Sequence, residues 1–109
     1  MAWLVRDGQV LATVEVADSL AGRARGLLGR DGIEGALLLP GVRSVHTLGM
    51  RFPIDVAFVD RDWQVVDTTT MARYRLGRPR FAARRVVEAE AGAFERWSLR
   101  IGDVLELRQ

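Results

Sequence analysis

Apolar and polar positions alternate with a period of two along much of this chain. Val10, Ala12, Val14 and Val16 fall on one side, with Leu11, Thr13 and Glu15 on the other, as in a half-buried strand. Trp3–Val5 precedes this run, and the intervening Arg6-Asp7-Gly8-Gln9 carries the Asp-Gly signal of a hairpin. Ala36–Leu39 is a short apolar run stopped by the turn dipeptide Pro40-Gly41, and a further apolar stretch, Val42–Leu48, follows. Ile54–Val59 is the clearest buried strand, with Asp55 its only charge. Asp60-Arg61-Asp62 then makes a turn and Trp63–Asp67 returns, which predicts an antiparallel hairpin. Arg85–Ala89 and, after the Gly102-Asp103 turn, Val104–Leu107 complete the set.

Helical spacing is confined to short pieces. Leu20, Ala24, Leu27 and Leu28 share one face, while Arg23, Arg25 and Arg30 look outward, so a helix is expected over 20–28. Asp18 or Ser19 can cap it and Gly29 and Gly32 end it. Its internal Gly22 and Gly26 cost about 1 kcal/mol each. Glu90–Trp97 reads as a short helix or a turn around Gly92. Thr68–Ala83 is the least regular stretch, and Gly77 and Pro79 mark it as a loop. The expected fold class is therefore α+β: a strongly curved, mostly antiparallel sheet tending to an open barrel, with one or two short helices. Pairing of the terminal strands would close it.

Size and composition narrow the function classes. With 109 residues, the chain suits one domain over 1–109 that buries roughly 65% of its unfolded surface. Its 49% hydrophobic content is that of a globular protein rather than a disordered one. Cysteine is absent, which excludes disulfides, thiol catalysis and thiolate metal centres. The N-terminus meets Arg6 and Asp7 at once, unlike a signal peptide, and the apolar run 36–42 is too short to span a bilayer. No membrane span and a cytoplasmic location are expected.

His46 is the only histidine and the first candidate for acid–base work, since imidazole titrates near pH 6.5. The alternative is a histidine bonded into a sheet edge or loop. Asp55 lies inside an otherwise apolar strand, and a buried carboxylate must be paired or hydrogen-bonded. It has three possible duties: accepting amides of the loop around Thr47–Arg51, pairing with Arg51, or orienting His46. Ser44, His46 and Asp55 supply the residue types of a hydrolase triad, yet Ser44 lacks the Gly-x-Ser-x-Gly elbow. One histidine with Asp55, Asp60, Asp62 and Asp67 makes no zinc site, and Asp60-Arg61-Asp62 lacks the spacing of a calcium loop. No glycine loop has a nucleotide-binding order. No metal and no cofactor are expected.

All 16 basic residues are arginines, and the net charge is a modest +2. Arg73, Arg75, Arg78, Arg80, Arg84 and Arg85 crowd one stretch without an acid, interleaved with Tyr74 and Phe81. Such a tract suits a solvated loop, a protein or acidic small ligand, or nucleic acid, whose phosphates meet arginine and whose bases stack on aromatics. The three tryptophans and Met50 read as packing residues.

Several segments resemble a known family, number 192 among the domains of unknown function. They are Arg23-Ala24-Arg25-Gly26-Leu27-Leu28-Gly29-Arg30, the central His46-to-Asp60 block, Val87-Glu88-Ala89-Glu90-Ala91-Gly92, and Ile101-Gly102-Asp103-Val104. The resemblance spans about residues 19–107. It implies a small mixed domain with a strongly curved sheet and short helices, and no reaction. It directs attention to Arg23, Gly26, Leu27, Met50, Asp55, Phe58, Glu88, Gly92, Gly102 and Asp103. Several members carry Trp/Phe-Met-Lys-Asn where this chain has His46-Thr47-Leu48-Gly49-Met50-Arg51, so a site built on that Asn amide is not expected here.

Three functional expectations follow. The first is a non-enzymatic binding or accessory domain, with His46, Thr47, Met50, Arg51, Asp55 and Arg23 as candidate site residues and a protein or acidic small ligand as partner. The second is a small hydrolase or transferase using His46 as base, oriented by Asp55. The third is nucleic-acid binding through Arg73–Arg85.

Overall fold

A computed structural model describes residues 2–17, 31–47 and 50–109. The helix expected over 20–28, with Arg23, lies outside the described residues. Strands β1 (Ala2–Arg6) and β2 (Gln9–Val16) form the expected hairpin. Arg6 pairs with Gln9, and Asp7 and Gly8 both take positive φ (51° and 77°). That is the two-residue turn whose twist matches its strands, and it needs residues that tolerate the left-handed region.

The remaining strands are β3 (Ala36–Pro40), β4 (Ile54–Val59), β5 (Val65–Met71), β6 (Arg85–Glu90) and β7 (Leu105–Arg108). They make a seven-stranded sheet in the order β5-β4-β6-β3-β2-β1-β7. Only β2 and β3 run parallel, as their long crossover through residues 17–35 permits. The terminal strands β1 and β7 pair, with Trp3 opposite Arg108.

The sheet curls until its two ends touch. Gln64 bridges Val104, and Val65 N–H donates to the Asp103 carbonyl (2.8 Å) while Val65 C=O accepts from Gly102 N–H (2.8 Å). A half-barrel results, with an inner and an outer core. Inside lie Leu4, Val14, Leu38, Ala57, Val59, Val65, Val87 and Leu105, against the short helix α1 (Ala93–Trp97). Outside lie Leu37, Ile54, Val56, Phe58 and Val86, covered by Val45, Met50 and Ala83. Both faces of β4 are thus buried, which is why its sequence is a continuous apolar run rather than an alternation.

Two expectations change. Thr68–Met71 is not loop but the second half of β5, paired through Ile54–Met71 and Val56–Thr69. Three consecutive threonines suit a pleated strand, and β4 supplies the partner that local pattern could not show. Conversely, Val42–Leu48 forms no strand among the described residues. Only His46 makes a bridge, to Leu76.

Candidate functional site

Asp55 is 3% exposed. Strand alternation places it with Ala57 and Val59 on the inner face, beside α1. There its Oδ1 accepts from Thr70 Oγ1 (2.6 Å) and its Oδ2 from the backbone N–H groups of Gly92 (3.0 Å) and Phe94 (3.1 Å). The carboxylate thereby caps α1 from a distant strand, since Gly92, in the N-cap position, has no side chain to do so. Its negative charge also faces the positive end of the helix.

Arg6 performs the reciprocal task at the other end. It donates to the carbonyls of Trp97 (2.8 Å) and Ser98 (3.0 Å) and pairs with Asp103 (3.1 Å). A helix of 5 residues has little stability alone, so these two charges hold it in place.

No hydrogen bond joins His46 to Asp55 among the described residues. The segment around His46 packs through Val45 and Met50 on the outer core, whereas Asp55 serves the inner face. Arg51 is exposed and pairs with Asp31 (2.7 Å), which raises its pKa. Of the duties open to Asp55, tying down backbone amides is the one observed, but on the 92–94 turn instead of the Thr47–Arg51 loop. Ser44 is exposed on the His46 segment. Among the described residues no cluster of three or more His, Asp or Glu side chains could hold a metal ion.

Thr47 is fully buried (0% exposed) and pins the basic stretch. Its Oγ1 donates to the Ala72 carbonyl (2.6 Å) and accepts from Arg75 N–H (2.8 Å). Its own N–H donates to the Arg75 carbonyl (2.8 Å), and its carbonyl accepts from Tyr74 N–H (2.9 Å). Gly77 N–H to Val45 C=O (2.8 Å) and Arg80 N–H to Arg43 C=O (2.9 Å) continue the seam. Gly77 is required by close approach, because a Cβ there would run into the Val45 carbonyl oxygen. The basic stretch is therefore a docked ribbon and not a free loop.

Its arginines divide by task. Arg80 pairs with Asp67 (2.8 Å) and lies over the Phe58 ring (4.1 Å), and the hydrogen bond holds the Asp67 carboxyl below its ordinary pKa. Arg85 stacks on Trp63 (4.2 Å) and donates to the Asp60 carbonyl, its pKa lowered by burial. Arg84 closes its own turn through the carbonyls of Phe81 (3.0 Å) and Ala83 (3.1 Å). Arg73 sits 6.0 Å from the Tyr74 ring. Arg75 and Arg78 form no salt bridge among the described residues, although the Arg78 charge helps hold the Asp67 carboxyl down, and both line one open cleft of about 360 Å³ with Thr69, Met71 and Leu76.

Glu88 was marked in the sequence by family resemblance alone. It is 5% exposed, between Leu37 and Val56 of the neighbouring strands, with no hydrogen-bond partner among the described residues. Burial raises its pKa from 4.5 to about 7. The signal was the same as for Asp55, one carboxylate inside an apolar strand.

The fold and these sites define a small α+β half-barrel domain with a capped helix inside and an arginine-bearing ribbon outside. The chain belongs to the DUF192 family (Uncharacterized ACR), whose model matches residues 2–107. A Pyrococcus abyssi UPF0127 protein is 34% identical over 98 residues, covering 85% of this chain and 84% of that one. A UPF0127 protein of Pyrococcus furiosus is 41% identical over 63 residues, 58% of this chain, which spans 54% of that relative's length. The crystal structure of a protein of unknown function from Novosphingobium aromaticivorans superposes with a TM-score of 0.81 at 21% identity, covering 96% of this chain and 82% of that one. A structure from Sinorhizobium meliloti gives 0.82 at 22% identity, covering 96% and 90%. Among the described residues no helix is long and apolar enough to cross a membrane.

Proposed function

We propose that this is a non-enzymatic binding domain that engages an acidic partner at the outer cleft of Arg75 and Arg78. One observation carries the reading: the guanidinium groups of Arg75 and Arg78, neither in a salt bridge among the described residues, line the same cleft as Arg80, on a backbone fixed by Thr47 and Gly77. A docked ribbon presents its cations with little ordering cost on binding, and guanidinium groups bind carboxylate or phosphate through paired donors. His46 is bridged to Leu76, which lines this cleft. The site thus keeps His46 and Thr47 as its frame and moves its charge from Arg51 and Asp55 to the ribbon. Support for a His46–Asp55 base pair is weaker, because the Asp55 carboxylate is engaged by Thr70, Gly92 and Phe94.

Calorimetric titration at low ionic strength tests this with three probes: a glutamate-rich peptide, tripolyphosphate and a single-stranded oligonucleotide. At least one probe should bind, more weakly as salt rises. The double substitution Arg75→Ala, Arg78→Ala should weaken it about tenfold or more, equivalent to ~1.4 kcal/mol, while Arg84→Ala leaves it unchanged. Preference for the oligonucleotide would return the cleft to nucleic acid. Affinity untouched by the double substitution would end the proposal.

A further inference from the structure

We propose that the free edge of β5 takes up an extended acidic peptide as an eighth strand, beside the arginine cleft. This rests on the binding reading above and names the kind of partner.

β5 is the last strand of the sheet on its side, hydrogen-bonded to β4 alone except at Val65, which meets the 102–103 turn. Beyond that point, the edge from Val66 to Met71 has no strand partner among the described residues. An unpaired edge offers a row of N–H and C=O groups to any extended chain, and proteins usually protect it with Lys, Pro or a covering element. Here it presents Thr68-Thr69-Thr70, residues well suited to pairing, of which the Thr68 N–H is donated to Asp67 Oδ1 (2.9 Å).

Grooves flank this edge on both faces. The outer one is the arginine cleft; the inner one, about 410 Å³, is bordered by Asp55, Phe94 and Glu95, and Thr69 and Thr70 line both. An added strand sends alternate side chains to opposite faces, so each groove would receive every second residue. The charges of the grooves differ in sign. Arg75 and Arg78 on the outer side select acidic side chains, and Asp55 and Glu95 on the inner side disfavour them. The matching segment therefore alternates acidic with neutral residues.

The side chain exposed at the cleft favours a peptide over nucleic acid. Leu76 is 77% exposed and borders the arginine cleft, whereas the aromatic Tyr74 and Phe81, exposed on the same ribbon, do not line it. An aliphatic side chain beside paired cations gains by packing on another side chain and offers no stacking face to a base.

The test uses an eight-residue peptide of alternating Val and Glu, blocked at both ends, and the same peptide N-methylated at every second residue in either phase. Expected are binding of the parent, binding of one methylated phase at similar affinity, and at least a tenfold loss for the phase whose removed N–H groups face β5. Amide exchange within 66–71 should slow on binding the parent. Equal binding of all three peptides, abolished by Arg75→Ala with Arg78→Ala, overturns strand addition and leaves the basic cleft standing. Binding of tripolyphosphate alone does the same. No binding of any acidic probe at low salt removes both proposals. Slow exchange at 66–71 that depends on protein concentration, with a dimer in sedimentation, assigns the edge to a second copy and overturns the peptide.

Discussion

Glu88 lies between Leu37 and Val56 on the flanking strands, and its burial raises its pKa from 4.5 to about 7. Folding therefore favours its protonated form. The stability this confers is fully present below about pH 4.5 and is lost as pH rises through 7, a span on the order of 3 kcal/mol. Glu88→Gln should flatten the profile of melting temperature against pH between 4.5 and 7 and stabilise the protein at pH 8. A wild-type profile already flat across that window would show that the carboxyl is not buried as described. The residue's oddity was legible in Val86-Val87-Glu88-Ala89. Its titration was not, because desolvation depends on what covers the strand.

At the scale of elements, α1 and the basic ribbon are both held by side chains remote in sequence. Removing the carboxylate by Asp55→Ala strands the Thr70 hydroxyl and two backbone N–H groups. It should cost roughly 2–3 kcal/mol, since bonds to charged acceptors contribute more than neutral ones. Chemical denaturation measures the loss, and binding of tripolyphosphate at low temperature should be intact, because Asp55 does not line the arginine cleft. Loss of binding in a variant that is still folded would place Asp55 in the site after all. For the ribbon, Gly77→Ala should separate 75–80 from 43–47 by collision with the Val45 carbonyl. Limited proteolysis should then cut within 73–80 faster by an order of magnitude or more, with the sheet's protected amides little changed; unchanged cleavage would show that the ribbon absorbs the methyl group. That Asp55 needed partners was readable from its strand. Which partners was not, since Thr70, Gly92 and Phe94 come from two later elements.

For the whole molecule, curvature is the organising fact. It brings Gln64 and the Val65 start of β5 against residues 102–104 and pairs the two terminal strands. The same curl divides the apolar residues into an inner and an outer core, so Asp55 and Glu88 are buried on opposite faces. Among the described residues no hydrogen bond joins His46 to Asp55, although they lie only nine positions apart in sequence. Nearness along the chain suggests one site; strand alternation turns Asp55 to the inner face, toward α1.

The sequence by itself determined the strands with clear periodicity, the Asp7-Gly8 hairpin, the 54–71 hairpin's first half, and the α+β class, because these depend on spacing and turn chemistry within a few residues. It also singled out Asp55 and the arginine tract as unusual, since charge in an apolar run and cations without acids are visible without coordinates. Only the tertiary structure decided the rest. It extended β5 through Thr68–Met71, gave the Asp55 carboxylate to α1, docked the ribbon through Thr47, and left Arg75 and Arg78 as cleft-lining arginines outside any salt bridge among the described residues. Each of these depends on which distant backbone N–H, carbonyl or ring lies opposite, and that is set by sheet order and curl rather than by neighbours in sequence.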